Sequence, residues 1–267
     1  MLLIEQALPK RAIDAIQDEV DALTLEQPPG TIYEAGTPHV RALHGLHLHR
    51  PSFERLSRHP HFLEPARQLL VSEVYVHQSK VVHKSAFVGG GWQWHQDSAY
   101  WSDPDQLRGD DAVSAMVFLS DIDEHNAPLL LVPGSHRCEL FEMVGQAIEW
   151  GEAWSSRLTA DSEDVIPSAT LSRELDSKGI VAATGQAGSV LWFHSKTLHA
   201  SGMNLSSRDR KVLIWSYNGV HNCPLEDGPR PDFLAGKDYR PLRAWAGEMA
   251  DFAVNPAPEL VGVGGSR

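Results

Sequence analysis

Three things are scarce in this chain of 267 residues: cysteine, positive charge and long apolar runs. Cys138 and Cys223 are the only cysteines, too few for a disulfide framework, so a reducing cytoplasm is the expected setting. Lys and Arg number 23 against 35 Asp and Glu, a formal net charge of −12 with histidine neutral. That acidity disfavours nucleic acid and anionic membranes as partners, because both select a basic footprint. It does not exclude a small anion held by a few local cations. No uncharged apolar stretch approaches the roughly 20 residues that span a bilayer. The opening MLLIEQALPKR has only four leading apolar residues, short of a signal-peptide core. Gly89-Gly90-Gly91 is not followed by the Lys-Ser/Thr of a phosphate loop, and no G-x-S-x-G elbow accompanies Ser135 and His136. What remains is an apolar fraction of 42%, ample for a core, and 14 histidines, more than packing asks for.

The length favours a single domain over 1–267. Residues 1–72 read as mainly helical: Ile13, Ile16, Val20 and Leu23 recur at helical spacing before Pro28-Pro29-Gly30, and a second stretch over 52–70 is broken at Pro60. VRALHGLH, from Val40, suits a short extended or irregular segment. From residue 73 the texture changes to short β-rich runs at 74–82, 92–101, 112–122, 127–136, 189–195 and 211–218. No long helix separates them, so antiparallel sheets forming a sandwich or jelly roll are expected over 73–224, mainly β with flanking helices. The acidic stretch 137–180, with a helical patch near 139–154, reads as an insertion of the kind that forms lids. The Pro/Gly-rich tail, 225–267, is expected to wrap the surface.

Chemistry concentrates at Trp94-His95-Gln96-Asp97. On a strand, His95 and Asp97 share a face and offer an imidazole and a carboxylate to a divalent metal. His199, just after the SVLWF run, is the candidate third ligand. Two histidines and one carboxylate leave open positions of the kind non-haem Fe(II) oxygenases use, although zinc accepts the same set. On its own an HxD is a weak signal, and a local surface hydrogen bond is the competing reading. Arg210 opens the KVLIWSYN strand 11 residues after His199. Pointing inward it gives a fork for the distal carboxylate of 2-oxoglutarate, with Ser201 as a hydroxyl donor; pointing outward it is a solvated charge in Arg208-Asp209-Arg210-Lys211.

HQSKVVHKSAFVGGGWQWHQDSAYW, NAPLLLVPGSH and GSVLWFHSKTLHASGMNLSSRDR together resemble the phytanoyl-CoA dioxygenase-like family of Fe(II)/2-oxoglutarate oxygenases, over about 40–242. Within it, VRALHGLH, SRHPHFLEPA, VYVHQSK, GIVAATGQAGS and GPRPDFLAGKD are similar to bacterial hydroxylases of small free amino acids, the proline trans-4-hydroxylase type, and more distantly ectoine hydroxylase. The resemblance implies a double-stranded β-helix (a cupin-like jelly roll) with Fe(II), 2-oxoglutarate and O₂ as metal, cosubstrate and oxidant. It implies His95, Asp97 and His199 as iron ligands, and Arg210, Ser201 and Ser114 as cosubstrate contacts. On the substrate side it implies Gln78 and Trp101, with Arg41 or His44 facing a substrate carboxylate; Trp92 is a further candidate pocket wall. The implied substrate is a small, proline-like amino or imino acid. A natural-product intermediate or an ectoine-type substrate are the alternatives with the same chemistry; a zinc hydrolase or a non-catalytic binding module would break with it.

Two departures stand out. An asparagine that helps hold 2-oxoglutarate in relatives falls at Val82, and the stretch after the metal motif is replaced by 101–107. Asp97 is retained where iron halogenases carry a small residue, which favours hydroxylation. His47, His49, His77, His83, His136 and His194 read as packing, turn or surface histidines.

Overall fold

The computed structural model describes residues 1–102, 105–142 and 165–253. Helix α1 (Lys10–Glu26) buries Ile13, Ile16, Val20 and Leu23, the single apolar stripe its sequence spacing calls for. The second helical stretch is split as expected: α3 (Pro51–Ser57) and α4 (Pro60–Leu70) each begin on a proline, where the missing N–H removes no helical hydrogen bond. Between α1 and α3 the chain is largely extended, as VRALHGLH suggests. It forms β2 (Thr31–Tyr33), β3 (Val40–His44) and the short α2 (Leu46–His49).

Two antiparallel sheets build the jelly roll. The larger has the order β1-β9-β6-β11-β4-β3-β2, adding β1 (Leu2–Ile4), β4 (Val74–Lys84), β6 (Ala112–Phe118), β9 (Val190–His194) and β11 (Arg210–Gly219). The smaller runs β5-β10-β7-β8, from β5 (Trp92–His95), β7 (Leu129–Leu131), β8 (Val181–Ala183) and β10 (His199–Ser201). Cross-strand register sorts the large sheet into two faces. Leu213, Trp215, Val81, Val113, Val117 and Trp192 pack outward with α1, α3 and α4 in one apolar cluster. Val82, Val212, Phe118, Ile214, Met116 and Phe193 face inward, onto Leu129, Leu131 and Ala183 of the small sheet. Alternate residues of each strand thus serve opposite faces of the sheet.

Residues 168–178 of the 137–180 segment form α6 (Ser168–Lys178); the helical patch anticipated near 139–154 falls almost wholly outside the described residues. The C-terminal segment clamps the large sheet through backbone bonds from Gly236 N to His77 O (2.6 Å) and Leu242 N to Val74 O (2.9 Å). None of the described helices is long and apolar enough to cross a membrane.

Candidate metal centre and its pocket

The strand expected over 92–101 stops at His95. Gln96 turns the chain, and Asp97 begins a five-residue helix, α5 (Asp97–Trp101). Strand alternation therefore does not bring His95 and Asp97 together; a strand end and a helix start do. The turn is fastened on both sides. Gln96 Nε2 donates to Lys196 O (2.8 Å) and its Oε1 accepts from Phe141 N (2.8 Å), while Ser98 Oγ donates to Ser195 Oγ (2.8 Å). His199 arrives from β10, which pairs with β5 so that His199 lies directly opposite His95.

Asp97 Oδ1 lies 3.8 Å from His95 Nε2 and 3.9 Å from His199 Nε2, and the two imidazole centroids are 4.2 Å apart. Among the described residues this is the only gathering of three such side chains suited to a metal ion. The tautomers follow from the hydrogen bonds. His95 Nδ1 meets Gln93 O at 2.6 Å and His199 Nδ1 meets Thr197 O at 2.8 Å. A carbonyl only accepts, so each Nδ1 carries the proton and each Nε2 turns a lone pair toward Asp97. Burial, aided by His199, pushes the His95 imidazole down to about 3, so it is neutral in ordinary buffers. Burial alone would raise the Asp97 carboxyl, but Lys80 with the two histidines outweighs it and holds Asp97 ionised, below the usual carboxylate range. Two imidazoles turned Nε2-first toward one carboxylate form a donor set that fits Fe(II).

Most of the other candidates fall on the inward rows. Ser201 lies two residues beyond His199 on β10, buried like it. Arg210 is 2% exposed, and its Nε has no hydrogen-bond partner among the described residues. Burial pulls its guanidinium down to about 10. Ser114 and Gln78 face opposite sides of Ser216 on adjacent strands; Ser114 Oγ bonds Ser216 Oγ (2.9 Å) and Gln78 Nε2 donates to Leu234 O (2.8 Å). Trp101 is buried edge-on to His77, centroids 4.9 Å apart. His44 is buried opposite Lys80 with neither ring nitrogen hydrogen-bonded among the described residues, and burial keeps it neutral. Arg41 is engaged elsewhere: its guanidinium meets Glu34 (3.0 Å), donates to Gly91 O (2.6 Å) and covers the Trp92 ring at 4.0 Å. Val82 packs inward with Val212 and offers no amide.

Several groups escaped the sequence reading. Lys80 and Lys84 share the inward parity of β4 with Gln78 and Val82, a signal present in VHQSKVVHK but masked by the expectation that lysine is solvated. Asp105 binds Arg230 Nε (2.6 Å), 125 positions away, and sits 3.0 Å from His77 Nε2, in a buried triad that no local pattern announces. His77, read as packing, is thus part of a polar network.

The family model for phytanoyl-CoA dioxygenase (PhyH) matches residues 1–212. The chain belongs to the phytanoyl-CoA dioxygenase family. It is 36% identical to the L-proline trans-4-hydroxylase of Streptomyces griseoviridis, over 85% of each chain. It is 34% identical to an ectoine dioxygenase of Bordetella bronchiseptica, over 90% of this chain and 81% of that one. Its structure matches EctD from S. alaskensis with 2-oxoglutarate and 5-hydroxyectoine at a TM-score of 0.81 and 27% identity, over 93% of this chain and 84% of that one. The same EctD has also been solved with bound Fe. Like its relatives, this chain is an iron- and 2-oxoglutarate-dependent dioxygenase.

Proposed function

We propose that this dioxygenase hydroxylates a small free amino or imino acid of the proline kind, with His95, Asp97 and His199 as its iron ligands. The observation that carries the site assignment is the convergence of both Nε2 lone pairs on Asp97 Oδ1, within 4 Å. Bound Fe(II) supplies O₂ activation, coupling the decarboxylation of 2-oxoglutarate to succinate and CO₂ with insertion of oxygen into an aliphatic C–H bond. The chain's part is positional. Gln93 and Thr197 fix the imidazole tautomers, Arg210 with Ser201 takes the distal carboxylate of 2-oxoglutarate, and the apolar inward rows keep water from the reacting carbon. Lys80 and His44 form a polar wall beside Asp97 suited to a zwitterionic substrate, and Gln78 and Trp101 close it.

The proline reading is supported by the likeness to L-proline trans-4-hydroxylase. An ectoine-type substrate is the second reading, supported by a likeness nearly as strong. The reducing cytoplasm inferred from Cys138 and Cys223 fits their state as free thiols. The test is turnover with Fe(II) and 2-oxoglutarate across free amino and imino acids, L-proline and ectoine included, scoring succinate and a product heavier by one oxygen. Proline-dependent succinate with a hydroxyproline product is the expected result. Turnover confined to ectoine selects the second reading; turnover without O₂ or 2-oxoglutarate overturns both.

A further inference from the structure

A line of aromatic rings runs from the helix that carries Asp97 to the surface. Trp101 follows Asp97 by one turn of α5, and residues so spaced stand side by side on a helix, about 5–6 Å apart at Cβ. The Trp101 ring meets the His77 ring at 4.9 Å between centroids, His77 meets Tyr75 edge-on at 6.3 Å, and Tyr75 meets Tyr239 edge-on at 5.2 Å. Trp101 and Tyr75 are buried. Tyr239 is half-buried, and Asp227 beyond it is exposed. The Tyr239 hydroxyl donates to Asp227 Oδ1 at 2.6 Å.

Packing explains rings in edge contact; it does not explain their order, or the carboxylate at the outer end. Among side chains without sulfur, indole and phenol give up an electron most readily. Transfer between rings in contact is fast, because electron tunnelling decays steeply with distance. An oxidised phenol is a strong acid, so its oxidation needs a base already in place. Burial, with Asp227 beside it, raises the Tyr239 phenol well above its usual range. Tyr239 is therefore a neutral phenol at rest, hydrogen-bonded to the group that can take its proton.

We propose that Trp101, His77, Tyr75 and Tyr239 form an escape route that carries oxidising equivalents from the metal centre to the surface when O₂ reacts with no substrate carbon in place. This goes beyond the hydroxylation proposed above and rests on it only for the iron ligands. In such a turnover 2-oxoglutarate and O₂ still yield succinate and CO₂, and the remaining oxygen atom leaves as water once two electrons and two protons reach it. Each electron departs from Trp101; Tyr75 refills Trp101 across the His77 ring, and Tyr239 refills Tyr75. The Tyr239 proton crosses to Asp227, leaving a neutral phenoxyl radical, while water supplies the proton taken up at the metal side. A one-electron reductant in solution, of the ascorbate or thiol class, returns a hydrogen atom to Tyr239, and Asp227 releases its proton to water. A second pass delivers the second electron.

The test mixes Fe(II)-loaded protein and 2-oxoglutarate with O₂, without amino acid or reductant, and freezes samples for electron paramagnetic resonance before peptide mass mapping. A tyrosyl signal that narrows in protein grown on ring-deuterated tyrosine is expected in the wild type. It should be lost in Tyr239→Phe, in Asp227→Asn, which removes only the proton acceptor, and in Tyr75→Phe, which breaks the line in its middle. With the exit cut in Tyr239→Phe, initial succinate release should be unchanged while oxygen gain at Trp101 and Tyr100 rises, because the equivalents stay beside the metal. A tyrosyl signal that survives any of the three variants overturns the route alone. So does succinate release with no tyrosyl signal, or oxygen gain confined to Tyr100, edge-on to His95 at 5.6 Å, and equal in wild type and Tyr239→Phe. Absence of both O₂-dependent succinate and oxidised peptides in the wild type overturns the iron placement with it.

Discussion

His95 and His199 face each other across the β5–β10 pair, and each spends its Nδ1 proton on a carbonyl two residues back. Neither imidazole needs a partner residue to set its tautomer; the local backbone does it. The weight of the site therefore rests on the three ligands themselves. Asp97→Ala removes the only carboxylate of the cluster, and affinity for Fe(II) should fall by about 100-fold or more, since even outer partners of a metal ligand are worth 10–100-fold. Equilibrium dialysis under anaerobic conditions, with Fe(II) scored by a chelator, checks it. His95 and His199 were legible because WHQD and TLHASG pair metal-ligand residue types with strand signals. Lys84 was not, because what makes it unusual is its opposition to Arg210 across β4 and β11, a long-range fact absent from either segment alone.

At the level of elements, the critical join is the entry to β5. Glu34 and Arg41, from the β2–β3 hairpin, grip Gly90 and Gly91 and cover Trp92, so the N-terminal region fixes the strand that delivers His95. Arg41→Met leaves Glu34 a buried carboxylate without its ion-pair partner, and a loss of about 3–5 kcal/mol in unfolding free energy is expected. The Glu34→Gln/Arg41→Met double variant should recover part of that loss in guanidinium titrations; strict additivity of the single effects would show the pair is uncoupled. Were Arg41 instead a direct substrate contact, the double variant would recover stability without the amino-acid KM returning, whereas a pure clamp restores both in proportion. The helix stripe of α1 and most β-rich runs were readable because their periodicity is local. The break at His95 was not: WQWHQDSAYW alternates well enough to pass for one strand, and only the bonds from Gln96 and Ser98 to residues 141, 195 and 196 make Asp97 start a helix. The pairing of β1 with β9 is equally invisible locally, since a three-residue strand has no period to detect.

The whole molecule carries a net charge of −12, yet Lys84 and Arg210 lie buried and paired in the large sheet. The same interior sets the acid limit of the fold. His44 and His95 are kept neutral by burial, so the unfolded chain binds more protons than the native one below an ordinary histidine pKa. Asp97 and Asp105 are held below their ordinary range and lose their native advantage as they protonate. Both effects have the same sign: metal-free protein loses stability as pH falls. From about pH 7 to pH 5 the His95 contribution alone is about 2 kcal/mol, read as a falling denaturation midpoint; a flat profile would contradict the buried, neutral state of these groups.

The central claim, that His95, Asp97 and His199 hold the iron of an amino-acid hydroxylase, is met most directly by quantifying succinate and hydroxylated product for wild type and His199→Ala, with Fe(II), 2-oxoglutarate and L-proline. The account predicts proline-stimulated succinate matched by hydroxyproline in the wild type, and loss of both in a variant whose circular dichroism is unchanged. Retention of coupled turnover by folded His199→Ala would contradict it.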